Sequence, residues 1–234
     1  MDNIRIFFID TNKFLNKIDK TTLDLFAENN KFSSTKRQIQ FCLGRFILKY
    51  ILQTQYNISN PQICLINKKP CLKNNTQEIQ FSLSHTQNIV WAAFSRHNIG
   101  TDIEFMKNRD FEKIFKHYKL NPENKDKKTF YQLWTEYESE IKLQSEPKST
   151  LSAIFANDFM FSVTTDCPLD IKNRLKIYEI DTPNINPEEL IKLNTLTNKN
   201  ENASPLVTKE IKTVQSDFLP SQVTFLNKLN IKIK

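Results

Sequence analysis

Two carboxylates two residues apart, Asp102 and Glu104, lie in the stretch Ile99-Gly100-Thr101-Asp102-Ile103-Glu104. Strict alternation of Ile99, Thr101 and Ile103 with Gly100, Asp102 and Glu104 reads as a β-strand, so both acids and the glycine share one face. Side-by-side carboxylates suit a hard cation such as Mg²⁺, which takes oxygen ligands and leaves positions for substrate phosphates. Gly100 leaves room for a close approach. Alone the pattern is weak, because two acids on one strand face usually form its solvated side.

Other chemistry-bearing residues flank it. Ser84-His85 ends a short alternating run from Ile79 to Leu83. Glu138 and Lys142 stand one helical turn apart at the border of an apolar arc, where an ordinary surface pair would contribute roughly 0.2–0.5 kcal/mol. A carboxylate at an arc's edge can also reach a sheet. Arg45 follows Gly44 in a long helix, and Lys69 precedes Pro70 in a bend. Acids to hold a divalent cation, with bases around it, fit phosphoryl-type transfer or hydrolysis.

These residues need elements to carry them. Ile4 to Ile9 predicts a first strand, and Ser33 or Ser34 is placed to cap a helix. In that helix Ile39, Leu43, Phe46, Ile47, Tyr50 and Ile51 recur at helical spacing to about Gln53. Gly44 interrupts it at a cost of about 1 kcal/mol, which we read as close packing or a ligand contact beside Arg45. A strand from Ile63 to Ile66 precedes a turn at Asn67-Lys68-Lys69-Pro70. Three successive antiparallel strands are then expected, from Ile79 to Leu83, from Ile89 to Phe94 and over the Asp102/Glu104 stretch. Helices are predicted over Asp110 to Tyr118 and Lys127 to Leu143. In the latter Phe130, Leu133, Trp134, Tyr137 and Ile141 form the apolar arc. Strands follow at Phe159 to Thr164 and Leu175 to Ile180, then a short helix at Pro187 to Leu193 and a mobile Asn-, Thr- and Lys-rich loop over 195–204.

With 234 residues, 39% hydrophobic content and 18 Phe, the chain is large and apolar enough for one or two domains with a core. No run of eighteen apolar residues occurs and the N-terminus is short and acidic, so a cytoplasmic protein with no membrane span is expected. The four cysteines, Cys42, Cys64, Cys71 and Cys167, form no C-x-x-C pair. Neither zinc nor a disulfide framework is indicated. A net charge of +7 favours an anionic partner. The lysines are scattered and no nucleic-acid motif is present, so nucleic acid is not the expected partner. Average usage would give roughly sixteen glycines, and there are two.

In combination, the motifs resemble the 4′-phosphopantetheinyl transferases of the surfactin-synthetase-activating (Sfp) type. The matching stretches are Gly44-Arg45-Phe46-Ile47-Leu48, Lys69-Pro70, Phe81-Ser82-Leu83-Ser84-His85, the Asp102/Glu104 strand, and Trp134-Thr135-Glu136-Tyr137-Glu138-Ser139-Glu140-Ile141-Lys142. Where the family has Lys-Glu, this chain has Tyr137-Glu138, so one basic contact is absent.

The resemblance implies transfer of the phosphopantetheine arm from coenzyme A to a serine of an acyl or peptidyl carrier protein, releasing 3′,5′-adenosine bisphosphate. It assigns Asp102, Glu104 and Glu138 to Mg²⁺, with Glu138 also the general base. It assigns Lys69, Ser84 and His85 to the coenzyme A phosphates, Arg45 to the 3′-phosphate and Lys142 to the pyrophosphate. The expected fold is α+β, a pseudo-twofold pair of similarly built subdomains, residues 1–105 and 106–234. Each is an antiparallel sheet packed with helices, and the active site lies in the cleft between them. A monomer is expected, with an acidic carrier protein as the partner. The alternative is a non-catalytic coenzyme A or carrier-binding protein of the same fold.

Overall fold

The computed structural model describes residues 3–16, 24, 26–27, 32–118, 122–180, 208–210 and 218–219. The predicted helix from Pro187 to Leu193 and the loop over 195–204 lie outside these. Strand β1 (Ile4–Asp10) leads into a one-turn helix α1 (Thr11–Leu15) capped by Asp10, and then comes α2 (Thr35–Tyr56). Ser34 caps α2 by accepting from the Arg37 N–H, one of the two capping serines anticipated, and the helix ends on Asn57 in the left-handed region.

A hairpin of β2 (Ile63–Ile66) and β3 (Lys69–Leu72) follows, then β4 (Gln80–Thr86), β5 (Ile89–Ser95) and β6 (Ile99–Phe105). Helices α3 (Phe111–His117) and α4 (Lys127–Leu143), strands β7 (Ser149–Phe155) and β8 (Phe159–Thr165), a short α5 (Ile171–Arg174), and β9 (Leu175–Ile180) complete the continuous part. Two short pieces, β10 (Thr208–Glu210) and β11 (Phe218–Leu219), add to sheet edges.

The fold is mixed α and β, compatible with the α+β class read from the sequence. One sheet runs β10-β9-β1-β5-β4, and the other β11-β7-β8-β6. Within the first, β1 pairs antiparallel with β5 and parallel with β9. The period-2 alternation of β1 sends Phe7 and Ile9 to one face of this sheet and Ile4, Ile6 and Phe8 to the other. On the first face they meet Leu43, Phe46, Ile47 and Ile51 of α2. On the second they meet Ile99 and Ile103 of β6, Ala153 and Phe155 of β7, and Phe161 and Val163 of β8. The layers therefore stack as α2, first sheet, second sheet, α4, with Trp91 buried between the sheets against Phe155 and Phe161. A third cluster of Met106, Phe115, Phe130, Leu133 and Met160 seals α3 and the start of α4 onto the outer face of the second sheet.

Strand β6 does not continue the β4–β5 meander as expected. It leaves that sheet and pairs antiparallel with β8, Asp102 opposite Ser162 and Glu104 opposite Met160. The physical reason lies in side chains. The free edge of β6 lies across β4, where the Ser82, Ser84 and Thr86 hydroxyls accept from the N–H groups of Thr101, Ile103 and Phe105 at 3.1, 3.2 and 3.2 Å. Hydroxyls at alternate positions of one strand thus satisfy alternate donors of another, so no buried N–H is orphaned there.

Candidate functional site

The site forms where β4, β6 and α4 converge. Gly100, Asp102 and Glu104 share the face of β6 that meets α4, as the alternation requires. Gly100 is there for contact: a Cβ would lie 1.9 Å from the Ser139 carbonyl oxygen and 2.7 Å from the Leu143 N. Both are backbone atoms, so no side chain can move aside. That approach brings the α4 residues Glu138 and Lys142, one turn apart, to the acids of β6. Lys142 Nζ donates to Asp102 Oδ1 at 2.6 Å, and Ser84 Oγ donates to the same oxygen at 2.7 Å. Ser84 therefore accepts from Ile103 N and donates to Asp102, which fixes the carboxylate against its own strand.

Asp102 is buried, and its second oxygen, Oδ2, is shielded from solvent with no hydrogen-bond partner among the described residues. Its charge is felt by both other acids. Glu104 accepts from Thr86 Oγ1 at 3.1 Å; desolvation first and the Asp102 charge second push its pKa above the ordinary value, against relief from Thr86, Lys142 and Arg109. Glu138 is pushed up by the same two causes, with Lys142 opposing. His85 is pushed down by desolvation and then by the Lys142 ammonium, with Arg37 adding and Asp102 opposing.

The expected site residues thus separate into two groups. Ser84, His85, Asp102, Glu104, Glu138 and Lys142 are electrostatically one cluster. Ser84 and His85 lie inside β4 rather than past its end, and on opposite faces of it. Ser84, expected two strands from the carboxylates, is in direct contact with Asp102. Lys69 and Arg45 are placed differently. Lys69 belongs to β3 rather than to the turn, and its buried ammonium donates to Asn98 Oδ1, Ile99 O and Leu143 O at 2.6, 2.9 and 3.4 Å. Desolvation holds its pKa below the usual lysine range. It braces the first residue of β6 against the last of α4, where helix carbonyls carry partial negative charge. Asn98 and Gln144 reinforce this, donating to Leu143 O and Asn67 O at 2.8 Å each. Arg45 is 6% exposed in α2, its guanidinium 5.1 Å from the Phe41 ring centre. Close packing does not require glycine at position 44: a Cβ there would meet only the Leu83 methyls, at 3.4 and 4.0 Å.

The apolar arc drawn for α4 also needs correction. Ile141 is half exposed, and the buried face of the second half of the helix is polar. Thr135 Oγ1 and Ser162 Oγ lie 2.7 Å apart, as do Ser139 Oγ and Thr164 Oγ1, and Ser152 Oγ donates to Glu136 Oε1 at 2.7 Å. Glu136 is fully buried and also accepts from Gln132 Nε2. Sequence reading passed over Glu136. The signal available was its spacing from Gln132, an i, i+4 pair on the face opposite Ile141.

Hard oxygen donors, one of them a buried and unpartnered carboxylate oxygen, fit a divalent cation of the Mg²⁺ class. Among the described residues no group of three or more His, Cys, Asp or Glu side chains is close enough together to hold a metal ion. Lys142 takes the other Asp102 oxygen. None of the described helices is long and apolar enough to cross a membrane. No protein-family model and no curated protein sequence matches the chain.

Proposed function

We propose that the chain transfers the 4′-phosphopantetheine group of coenzyme A to a serine of an acyl or peptidyl carrier protein, with Mg²⁺ as cofactor. The observation that carries this reading is the Asp102 carboxylate: one oxygen takes Lys142 and Ser84, the other is buried and unpartnered, and its charge acts on Glu104 and Glu138. Asp102, Glu104 and Glu138 would hold the cation, whose charge offsets that of the diphosphate. In transfer, the carrier serine oxygen forms a bond to the phosphorus next to the pantetheine arm, and the bond to the bridging oxygen breaks. The products are the phosphodiester on serine and 3′,5′-adenosine bisphosphate.

Glu138 takes the serine proton, and its raised pKa makes it a better base than an ordinary carboxylate. Lys142 offsets the charge of the phosphates, Arg37 adds to its field, and His85, whose pKa is pushed down, meets them as a neutral hydrogen-bond donor. Lys69 acts as the brace between β6 and α4 and Arg45 through α2, so the phosphate grip is narrower than the motif comparison implies. Helix on sheet occurs twice, α2 on the first sheet and α4 on the second, which supports a pseudo-twofold arrangement, but the sheets do not divide at residue 105, because β6 joins the second sheet and β9 runs parallel to β1 in the first. The net positive charge favours an acidic carrier.

Incubation of apo carrier proteins with coenzyme A and Mg²⁺, read by mass spectrometry, tests the proposal. The carrier should gain the mass of the arm with the parental protein and not with Glu138→Gln. Tyr137, half-buried where the family places lysine, favours the second reading, a coenzyme A or carrier-binding protein without transfer. Binding of coenzyme A with no mass gained on any carrier would select that reading.

A further inference from the structure

We propose that Cys64 and Cys71 form a reversible disulfide across the β2–β3 hairpin, a modification site independent of the acidic cluster. Asn67 and Lys68 both have positive φ, 50° and 67°, the signature of a two-residue type I′ turn. That turn fixes the register, Ile66 opposite Lys69, Leu65 opposite Pro70, Cys64 opposite Cys71. Seven residues of separation in the chain become direct opposition in the ribbon. Pairs alternate between hydrogen-bonded and non-bonded from such a turn outward, and the bond from Lys73 N to Gln62 O at 2.8 Å continues the phase. Pro70, with no N–H to give, falls in the non-bonded pair.

Cys64 and Cys71 fall in the bonded one, whose Cα atoms lie about 5.5 Å apart. A disulfide spans about 4.4–6.8 Å between Cα atoms but about 3.5–4.5 Å between Cβ atoms, and the Cβ atoms of a bonded pair stand at the wide end of about 4.5–5.5 Å, so closing the bond strains the ribbon and leaves it readily reduced. Both thiols are half-buried and free, and each makes only a weak bond to a carbonyl. Cys64 Sγ donates to Cys71 O at 3.6 Å and Cys71 Sγ to Lys69 O at 3.5 Å. The Cys64 sulfur therefore already lies over its partner's backbone. Cys42 is in the core of α2 and Cys167 follows β8, and neither stands opposite another cysteine.

Oxidation needs a low-molecular-weight disulfide such as oxidised glutathione. One cysteine thiolate attacks it and releases one thiol. The second cysteine then attacks the protein sulfur of the mixed disulfide and releases the other. The pair loses two protons and two electrons, and the oxidant becomes two thiols. Burial pushes the Cys71 thiol up, which slows exchange at neutral pH without preventing it. The hairpin holds Lys69, so the bond stiffens the brace between β6 and α4.

The test treats the full chain with oxidised glutathione, blocks remaining thiols, and digests with trypsin, which cuts after Lys68 and so separates the two cysteines. The peptide holding Cys64 should stay joined to that holding Cys71 until dithiothreitol is added, and amide exchange over residues 64–71 should slow on oxidation. Separate glutathione adducts, joining through Cys42 or Cys167, or four blocked thiols would overturn the site. Unchanged exchange over 64–71 in the joined form would overturn the stiffening.

Discussion

The two helix-on-sheet interfaces are built in opposite ways. Helix α2 meets the first sheet through Leu43, Phe46, Ile47 and Ile51, with the Phe46 ring against Phe14, Phe26 and Tyr50. Helix α4 meets the second sheet, past its first turns, through paired hydroxyls and Glu136, and it approaches so closely that Gly100 cannot carry a Cβ. Apolar contact is non-directional and tolerates small shifts. Hydroxyl pairs at 2.7 Å and a backbone in contact with a strand do not. The first interface supplies area buried from water, and the second fixes where Glu138 and Lys142 stand relative to Asp102.

The two glycines carry the same contrast, one against a flexible leucine and the other against backbone. Substitutions should separate the interfaces. Phe46→Ala removes a buried ring and should cost about 3–5 kcal/mol in chemical denaturation, with the Lys142–Asp102 pair intact in whatever remains folded. Gly100→Ala forces α4 off β6 and should cost about 3 kcal/mol, at the upper end of overpacking. It should also disturb the acidic cluster, read as altered carboxylate titration by NMR. Thr135→Val keeps the shape but removes a partner from Ser162, so about 1–2 kcal/mol should be lost. Gly44→Ala should stabilise by about 0.5–1 kcal/mol, because the contact is ordinary and the helix gains propensity. Equal losses at Gly44 and Gly100 would erase the distinction.

The smallest effect is one of pH. Glu104 and Glu138 have folded pKa values above their unfolded ones, so the folded chain binds more protons in the window just above the ordinary carboxylate range. Their contribution to stability is present below that window and is lost as pH rises through the raised values. Thermal melts across the window, without divalent cations, should show the decline, and Mg²⁺ should reduce it by pairing with the ionised acids.

Local elements were legible where spacing was strong. The helix from Lys127 to Leu143 and the strand from Leu175 to Ile180 fall where periodicity puts them, while the close approach at Gly100 is made by the α4 backbone and not by the cation its place beside the acids suggested. Strand β7 was missed although Thr150 and Ser152 alternate with Leu151, Ala153 and Phe155, because Ser149 on the apolar face and Ile154 on the polar one leave the alternation short. The departure of β6 from the β4–β5 sheet was hidden for a related reason. Register pairing leaves a mark in the sequence, whereas a strand edge satisfied by Ser82, Ser84 and Thr86 side chains looks like any polar face. The burial of Lys69 was equally hidden, because its acceptors come from residues 98, 99 and 143 and meet only in the fold.

The central claim is that Asp102, Glu104 and Glu138 serve one divalent cation together with a diphosphate. Calorimetric titration of coenzyme A into the protein, with and without Mg²⁺, measures that coupling directly. Binding should tighten about tenfold or more with Mg²⁺, a coupling of at least about 1.4 kcal/mol, and the gain should vanish in Asp102→Asn. Affinity that is the same with and without Mg²⁺, or a gain that survives in Asp102→Asn, would contradict it.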